Sequence, residues 1–201
     1  MDEREVEAEI LRLAPAGDIG DLLDLGTGTG RILELLGDRA RRAVGVDLSR
    51  EMLAIARTNL DRADRRNVQV RQGDMYRLEL EARSFDFVVL HQVLHFAHNP
   101  ASALREAARV LRPGGRLLIV DFAPHDVESL RLEHHHRRLG FATDEIVAWC
   151  ASLGLDIDAV RSLPGDPLTV TLWLAHAPQH VRLPAGAAFG AATVSATSVS
   201  S

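Results

Sequence analysis

Leu22-Leu-Asp-Leu-Gly-Thr-Gly-Thr-Gly30 joins an apolar run to three glycines at alternate positions. A buried strand over Asp21–Leu25 that turns through glycine into a helix over Ile32–Leu36 is one βα unit of a parallel sheet. Gly26, Gly28 and Gly30 let backbone approach a ligand closely, and the start of the next helix adds oriented N–H groups. A dinucleotide fingerprint reads G-x-G-x-x-G around a pyrophosphate. Here the spacing is G-x-G-x-G, and Asp24 stands two residues before the first glycine. An acid there repels a pyrophosphate and suits a cationic ligand, such as an amino acid with a free ammonium.

Outward from this unit, strand-like and helix-like segments alternate. A short amphipathic helix at 2–14 precedes it, with Val6, Ile10 and Leu13 on one side and Pro15 and Gly17 as its stop. Strand Ala43–Asp47, helix Glu51–Ala63 and strand Val68–Arg71 follow. Next come strand Phe85–Leu90, helix Ala101–Leu111, a Pro113-Gly114-Gly115 break and strand Arg116–Phe122. The repeated order predicts a parallel sheet covered by helices on both faces. Past Phe122 the pattern predicts a polar helix over Val127–Arg138 and a second helix capped by Thr143, with Ile146, Trp149, Cys150 and Leu153 at helical spacing. Strands Ile157–Arg161 and Leu168–Ala175 form a closing hairpin. Three regions result: a helix or linker remnant at 1–18, one α/β domain at 19–177, and a tail at 178–201. Beyond Arg182 the tail has no charged residue and is expected to lie outside the fold.

Composition narrows the chemistry. The 201 residues are 46% hydrophobic and 25% charged, enough for one sizeable core. The net charge of −5 and the 4% aromatic content oppose a nucleic-acid grip. All 23 basic residues are arginine. That absence of lysine removes Schiff-base chemistry and the lysine of a nucleotide-binding Walker loop. The single Cys150 excludes an internal disulfide, a Cys-Cys metal knuckle and metalloid chemistry that needs paired thiols. Five acids in the first nine residues oppose a signal peptide, and no apolar run nears the roughly 20 residues of a membrane span. A cytoplasmic location is the expectation.

Asp47 ends the second strand, where a carboxylate can accept both hydrogen bonds of a ribose diol, although an aspartate bracing the helix cap at Ser49 is a common alternative. Gly73-Asp74-Met75 follows the third strand. Asp74 can accept from an adenine amino group with Met75 against the ring; an Asx-turn beside a buried methionine is the competing interpretation.

Together DLLDLGTGTG, VGVDLSREMLAIAR, QGDMY, FDFVVLHQVLHF and LREAARVLRPGGRLLIVDF resemble the class I S-adenosylmethionine-dependent methyltransferases, in family order from about Ile19 to Ala175. The resemblance implies an α/β, Rossmann-like fold: a seven-stranded, mostly parallel sheet with its last strand antiparallel and helices on both faces. It implies S-adenosyl-L-methionine as cofactor and S-adenosyl-L-homocysteine as product. Asp24 and the loop Gly26, Thr27, Gly28 and Gly30 would hold the methionine part. Asp47, with Leu48 beside it, would take the ribose, and Gly73, Asp74 and Met75 the adenine. His91 would line the floor. A narrower likeness, in DFAPHD (121–126) and EHHHRRLGF (133–141), is to bacterial methyltransferase domains that follow a winged-helix regulator of the arsenic-sensor type. No room precedes Asp21 for a winged helix, so DNA binding is not expected to carry over.

The segment after the fourth strand, His91-Gln-Val-Leu-His95-Phe-Ala-His98-Asn-Pro, lacks the Asn/Asp-Pro-Pro-aromatic signature that holds an exocyclic base nitrogen. A small-molecule methyl acceptor is therefore expected, with no nucleic acid or membrane partner; a homodimer is one option for assembly. His91, His95 and His125 are the candidate catalytic residues, at least one assisting proton removal. The polar helix bearing Arg131, Glu133, His134 and His135 is expected to act as a lid. No metal is expected, because three adjacent histidines cannot all face inward on a helix and cysteine partners are missing. Two other classes remain in view. A nicotinamide oxidoreductase is opposed by the glycine spacing and Asp24; a non-catalytic sensor of the cofactor or its product shares every binding feature.

Overall fold

In the computed structural model, residues 3–133 and 136–179 are described. Thirteen helices and strands follow in order: α1 (Glu3–Leu13), β1 (Gly20–Leu25), α2 (Arg31–Leu36), β2 (Ala40–Asp47), α3 (Arg50–Arg62), β3 (Val68–Gln72), β4 (Phe85–His91), α4 (Pro100–Val110), β5 (Leu111–Phe122), α5 (Ser129–Glu133), α6 (Thr143–Ser152), β6 (Asp156–Leu163) and β7 (Val170–His176). The strands form one sheet in the order β3-β2-β1-β4-β5-β7-β6. Neighbours from β3 to β5 run parallel, and β7 is antiparallel to both β5 and β6. Strand order reverses between β1 and β4, which opens a crevice at their carboxyl ends.

The apolar runs become strands because successive side chains supply two cores. Leu23, Leu25, Val88 and Leu90 face one side with Ala103, Leu104 and Ala107 of α4 and Ile146 and Cys150 of α6. Leu22, Phe87 and Val89 face the other with Leu33 and Leu36 of α2 and Leu60 of α3. Val6, Ile10 and Leu13 of α1 are buried in that second core, so the segment expected as a linker remnant packs as part of the folded body.

Three boundaries differ from the sequence expectation, each for a tertiary reason. The Pro113-Gly114-Gly115 break lies inside β5. Leu111 pairs with Phe85, the Gly114 amide donates to the Ala177 carbonyl at 2.8 Å, and Gly115 accepts from Ala177. Thr143 does not cap α6 but is its first residue; its hydroxyl accepts from the Trp173 indole N–H at 3.2 Å. The helix expected over Val127–Arg138 is reduced to α5. The chain turns back after it: His136 is buried, and the Arg137 and Arg138 amides donate to the His95 carbonyl at 2.9 and 3.1 Å. Arg138 is then anchored on Glu145 and stacked over Phe141. His134, His135 and the tail beyond Gln179 lie outside the described residues.

Candidate functional site

The glycine loop crosses the end of β2. Gly26 and Thr27 donate their amides to the Val46 carbonyl, and Gly28 donates to Asp47 Oδ2 at 2.8 Å. Gly26 has φ 72°, and a Cβ there would lie 2.2 Å from a Val93 methyl, so only glycine fits the approach of the loop to the segment after β4. Gly28 has φ 53° with nothing within 4 Å of a Cβ position, so its face is open to the crevice. A cavity of about 570 Å³ occupies that crevice. Gly26, Thr27, Gly28, Asp47, Leu48, Gly73, Asp74, Met75 and His91 all line it.

Gly30 does not line the cavity, nor does Asp24, which is joined to the wall through Thr27. Asp24 is fully buried on β1, and Thr27 Oγ1 donates to its Oδ2 at 2.6 Å. Its Oδ1 is buried without a hydrogen-bond partner. Burial pushes this carboxyl up to about 7, opposed by the Thr27 hydrogen bond and assisted by the nearby charge of Asp47. A buried acceptor with an unfilled lone pair fits a donor supplied by a ligand, and a cationic donor most of all.

Asp47 combines the two roles between which the sequence left a choice. Oδ1 accepts from the Ser49 amide at 2.8 Å, and Ser49 Oγ in turn caps α3 by accepting from Met52. The same carboxylate faces the cavity, and each oxygen retains a second lone pair for a diol. Asp74 likewise makes an Asx-turn, accepting from the Tyr76 amide at 2.9 Å, and lines the cavity.

The three candidate histidines separate. His91, at the end of β4, is on the cavity wall; burial holds its imidazole below the ordinary value, with Asp121 and Glu7 pulling the other way. His95 is 3% exposed and does not reach the cavity: Nδ1 lies 2.8 Å from Asp121 Oδ1, and the ring stacks on His136 at 4.0 Å. His125 accepts from the Val127 amide at its Nδ1, sits edge-on to Phe122 and is also away from the cavity. Burial lowers it too. None of the described residues of the expected lid lines the cavity. Residues not anticipated from sequence do: Glu3, Arg31, Met52, Phe96, Tyr76 and His98. Tyr76 and His98 are ring neighbours at 5.1 Å. Gln92 is held at φ 49° by its amide bond to Val120, which turns the chain out of β4 toward this wall. Among the described residues no three His, Cys, Asp or Glu side chains converge as metal ligands, and no helix is long and apolar enough to cross a membrane.

A family profile described as a methyltransferase domain matches residues 23–119, from β1 into β5. Residues 23–119 thus belong to a methyltransferase domain, carried on a Rossmann-like methyltransferase fold. In fold the domain is similar to the crystal structure of YcgJ from Bacillus subtilis, with a TM-score of 0.78 over 89% of this chain and 100% of that one at 21% identity. In sequence it is 40% identical over 110 residues to an arsenite methyltransferase of Aquipseudomonas alcaligenes, covering 50% of this chain and 32% of that protein. It is 25% identical over 168 residues to a ubiquinone biosynthesis O-methyltransferase of Leptothrix cholodnii, covering 76% of this chain and 71% of that protein. The chain spans between 32% and 47% of the length of the first three curated relatives. The methyltransferase domain implies S-adenosylmethionine as cofactor and S-adenosylhomocysteine as product. The orphaned Asp24 Oδ1 and the open face of Gly28 fit that group.

Proposed function

We propose that the chain transfers a methyl group from S-adenosylmethionine to a small-molecule acceptor. The observation that carries this reading is the buried, unpartnered carboxylate oxygen of Asp24, whose other oxygen is hydrogen-bonded to Thr27 on the wall of a cavity that presents Asp47 and His91. When bound, the cofactor supplies an electrophilic methyl group on a sulfonium. Asp24 holds the ammonium, Gly26, Thr27 and Gly28 shape the backbone around the methionine part, and Asp47 beside Leu48 accepts from the ribose. Gly73, Asp74 and Met75 frame the adenine. His91 is held in its neutral form near pH 7, so a ring nitrogen can take a proton from the acceptor. Alignment of the acceptor and exclusion of water by the apolar walls supply the rest.

The acceptor proposed is organic. The Aquipseudomonas alcaligenes protein is named for arsenite, but here the one cysteine is buried and burial pushes its thiol up to about 11. It offers no pair of thiolates to a metalloid. A neutral imidazole on the cavity wall favours turnover over the sensor alternative.

Titration calorimetry tests the cofactor: S-adenosylmethionine and S-adenosylhomocysteine should saturate the protein in the micromolar range and NAD should give no heat. Tight NAD binding overturns the reading. Asp47→Ala should weaken S-adenosylhomocysteine binding by about 1.5–3 kcal/mol, the scale of hydrogen bonds to a charged group. Unchanged affinity would show that Asp47 serves only the loop and the α3 cap. Methyl transfer from labelled cofactor into extract metabolites tests catalysis; binding without any transfer favours the sensor.

A further inference from the structure

We propose that Arg31 binds the carboxylate of the cofactor's amino-acid part, with Glu7 of α1 as the positioning residue that holds the guanidinium in place. This rests on the cofactor reading above. An amino-acid ligand brings two opposite charges, and Asp24 answers only the ammonium. Among the described residues that line the cavity, Arg31 is the one arginine, and the protein contains no lysine. It follows Gly30 directly, and lines the cavity together with Gly26, Thr27 and Gly28 of the loop.

The geometry of its present contacts leaves one edge of the guanidinium for a ligand. Nε donates to Glu7 Oε1 at 2.6 Å and Nη2 to Glu7 Oε2 at 2.8 Å, a bidentate fork that fixes the plane of the group. Nη1 makes only a 3.3 Å contact, to Glu34, at the outer limit of a hydrogen bond. Glu7 can act as a fixed point because its helix is fixed. Val6 and Ile10 on either side of it are 2% and 0% exposed. Arg31 holds the Glu7 carboxyl below its ordinary value, so the pair stays ionised through the neutral range. The α1 segment thus belongs to the site, supplying the anchor for the one permanent cation among the described residues that line the cavity.

The test compares S-adenosylhomocysteine with 5′-methylthioadenosine, which keeps the nucleoside thioether and lacks the amino-acid part. By calorimetry, Arg31→Gln should weaken S-adenosylhomocysteine about tenfold or more, while 5′-methylthioadenosine stays within twofold of wild type. Glu7→Gln should lose part of the same discrimination, because the fork that orients Arg31 is weakened. Arg31→Lys should recover part of it, since charge is kept and the fork is lost. Unchanged S-adenosylhomocysteine affinity in Arg31→Gln overturns the proposal while leaving the cofactor reading intact. Equal loss for both ligands also overturns it, because Arg31 would then act through the fold. Failure of the wild-type protein to bind S-adenosylhomocysteine at all removes the cofactor reading and this proposal with it.

Discussion

Asp24→Asn should lower the affinity for S-adenosylhomocysteine by about 10- to 100-fold at pH 8, the scale of losing a charge-assisted hydrogen bond. The size follows from the site beneath the glycine loop, where Oδ1 is buried and unpartnered and an ammonium can fill it. The same carboxyl predicts a pH dependence with a definite sign. Burial raises it from its ordinary value of 3.8 to about 7. The folded, unliganded protein therefore binds a proton more tightly than the unfolded chain between those limits. Its contribution to stability is fully present below about 3.8 and is lost as pH rises through about 7. Wild-type melting temperature should carry this fall between pH 5 and 8, and Asp24→Asn should lack it. Ligand affinity should move the opposite way, because only the ionised carboxyl pairs with an ammonium. Wild-type S-adenosylhomocysteine affinity should rise from pH 6 to 8 and that of the variant should stay flat. A wild-type affinity independent of pH across this range counts against Asp24 as the ammonium partner.

Much of this site was legible because its cofactor half is local in sequence. The strand–glycine–helix turn, the acid ending β2 and the Gly73-Asp74-Met75 turn each place a residue at a strand's carboxyl end. The parallel order then brings those ends together. The apolar runs were equally readable, since a strand buried on both faces has no polar alternation to blur it. What escaped was set by contacts across long sequence distances. Thr143 looks like a cap until the Trp173 indole claims its hydroxyl. The histidine-bearing stretch after β5 looks like one long helix until the His95 carbonyl takes the amides of Arg137 and Arg138. His95 itself resembles His91 by residue type and neighbourhood, and four residues of spacing say nothing of which ring enters the cavity. The turn set by Gln92 decides it. Arg31 and Glu7 form a pair 24 positions apart, and neither stands in a motif that announces a site.

The histidines carry the second large effect, and the structure separates what each substitution should do. His91→Ala should lower turnover by about 10²–10⁴-fold, the range for loss of a positioned general base, with S-adenosylhomocysteine affinity changed only a few-fold. Because burial holds His91 below its ordinary value, the wild-type rate should be level from pH 7 to 8 and fall only on acidification past the imidazole's lowered value. A protonated ring has no lone pair for the acceptor's proton. His95→Ala should act on the fold instead. It removes a partner of the buried Asp121 carboxylate and opens a gap against His136 and Phe122, costing about 3–5 kcal/mol of stability. The amides of His95 and Phe122 still reach Asp121, which favours the lower end of that range. His125→Ala removes a ring set edge-on to Phe122 outside the cavity and should leave methyl transfer close to wild type. Rates with an identified acceptor, read beside melting temperatures, distinguish the three. Full methyl transfer by His91→Ala overturns its role as the base. A rate loss in His125→Ala as large as that in His91→Ala would move the acceptor site to the end of β5.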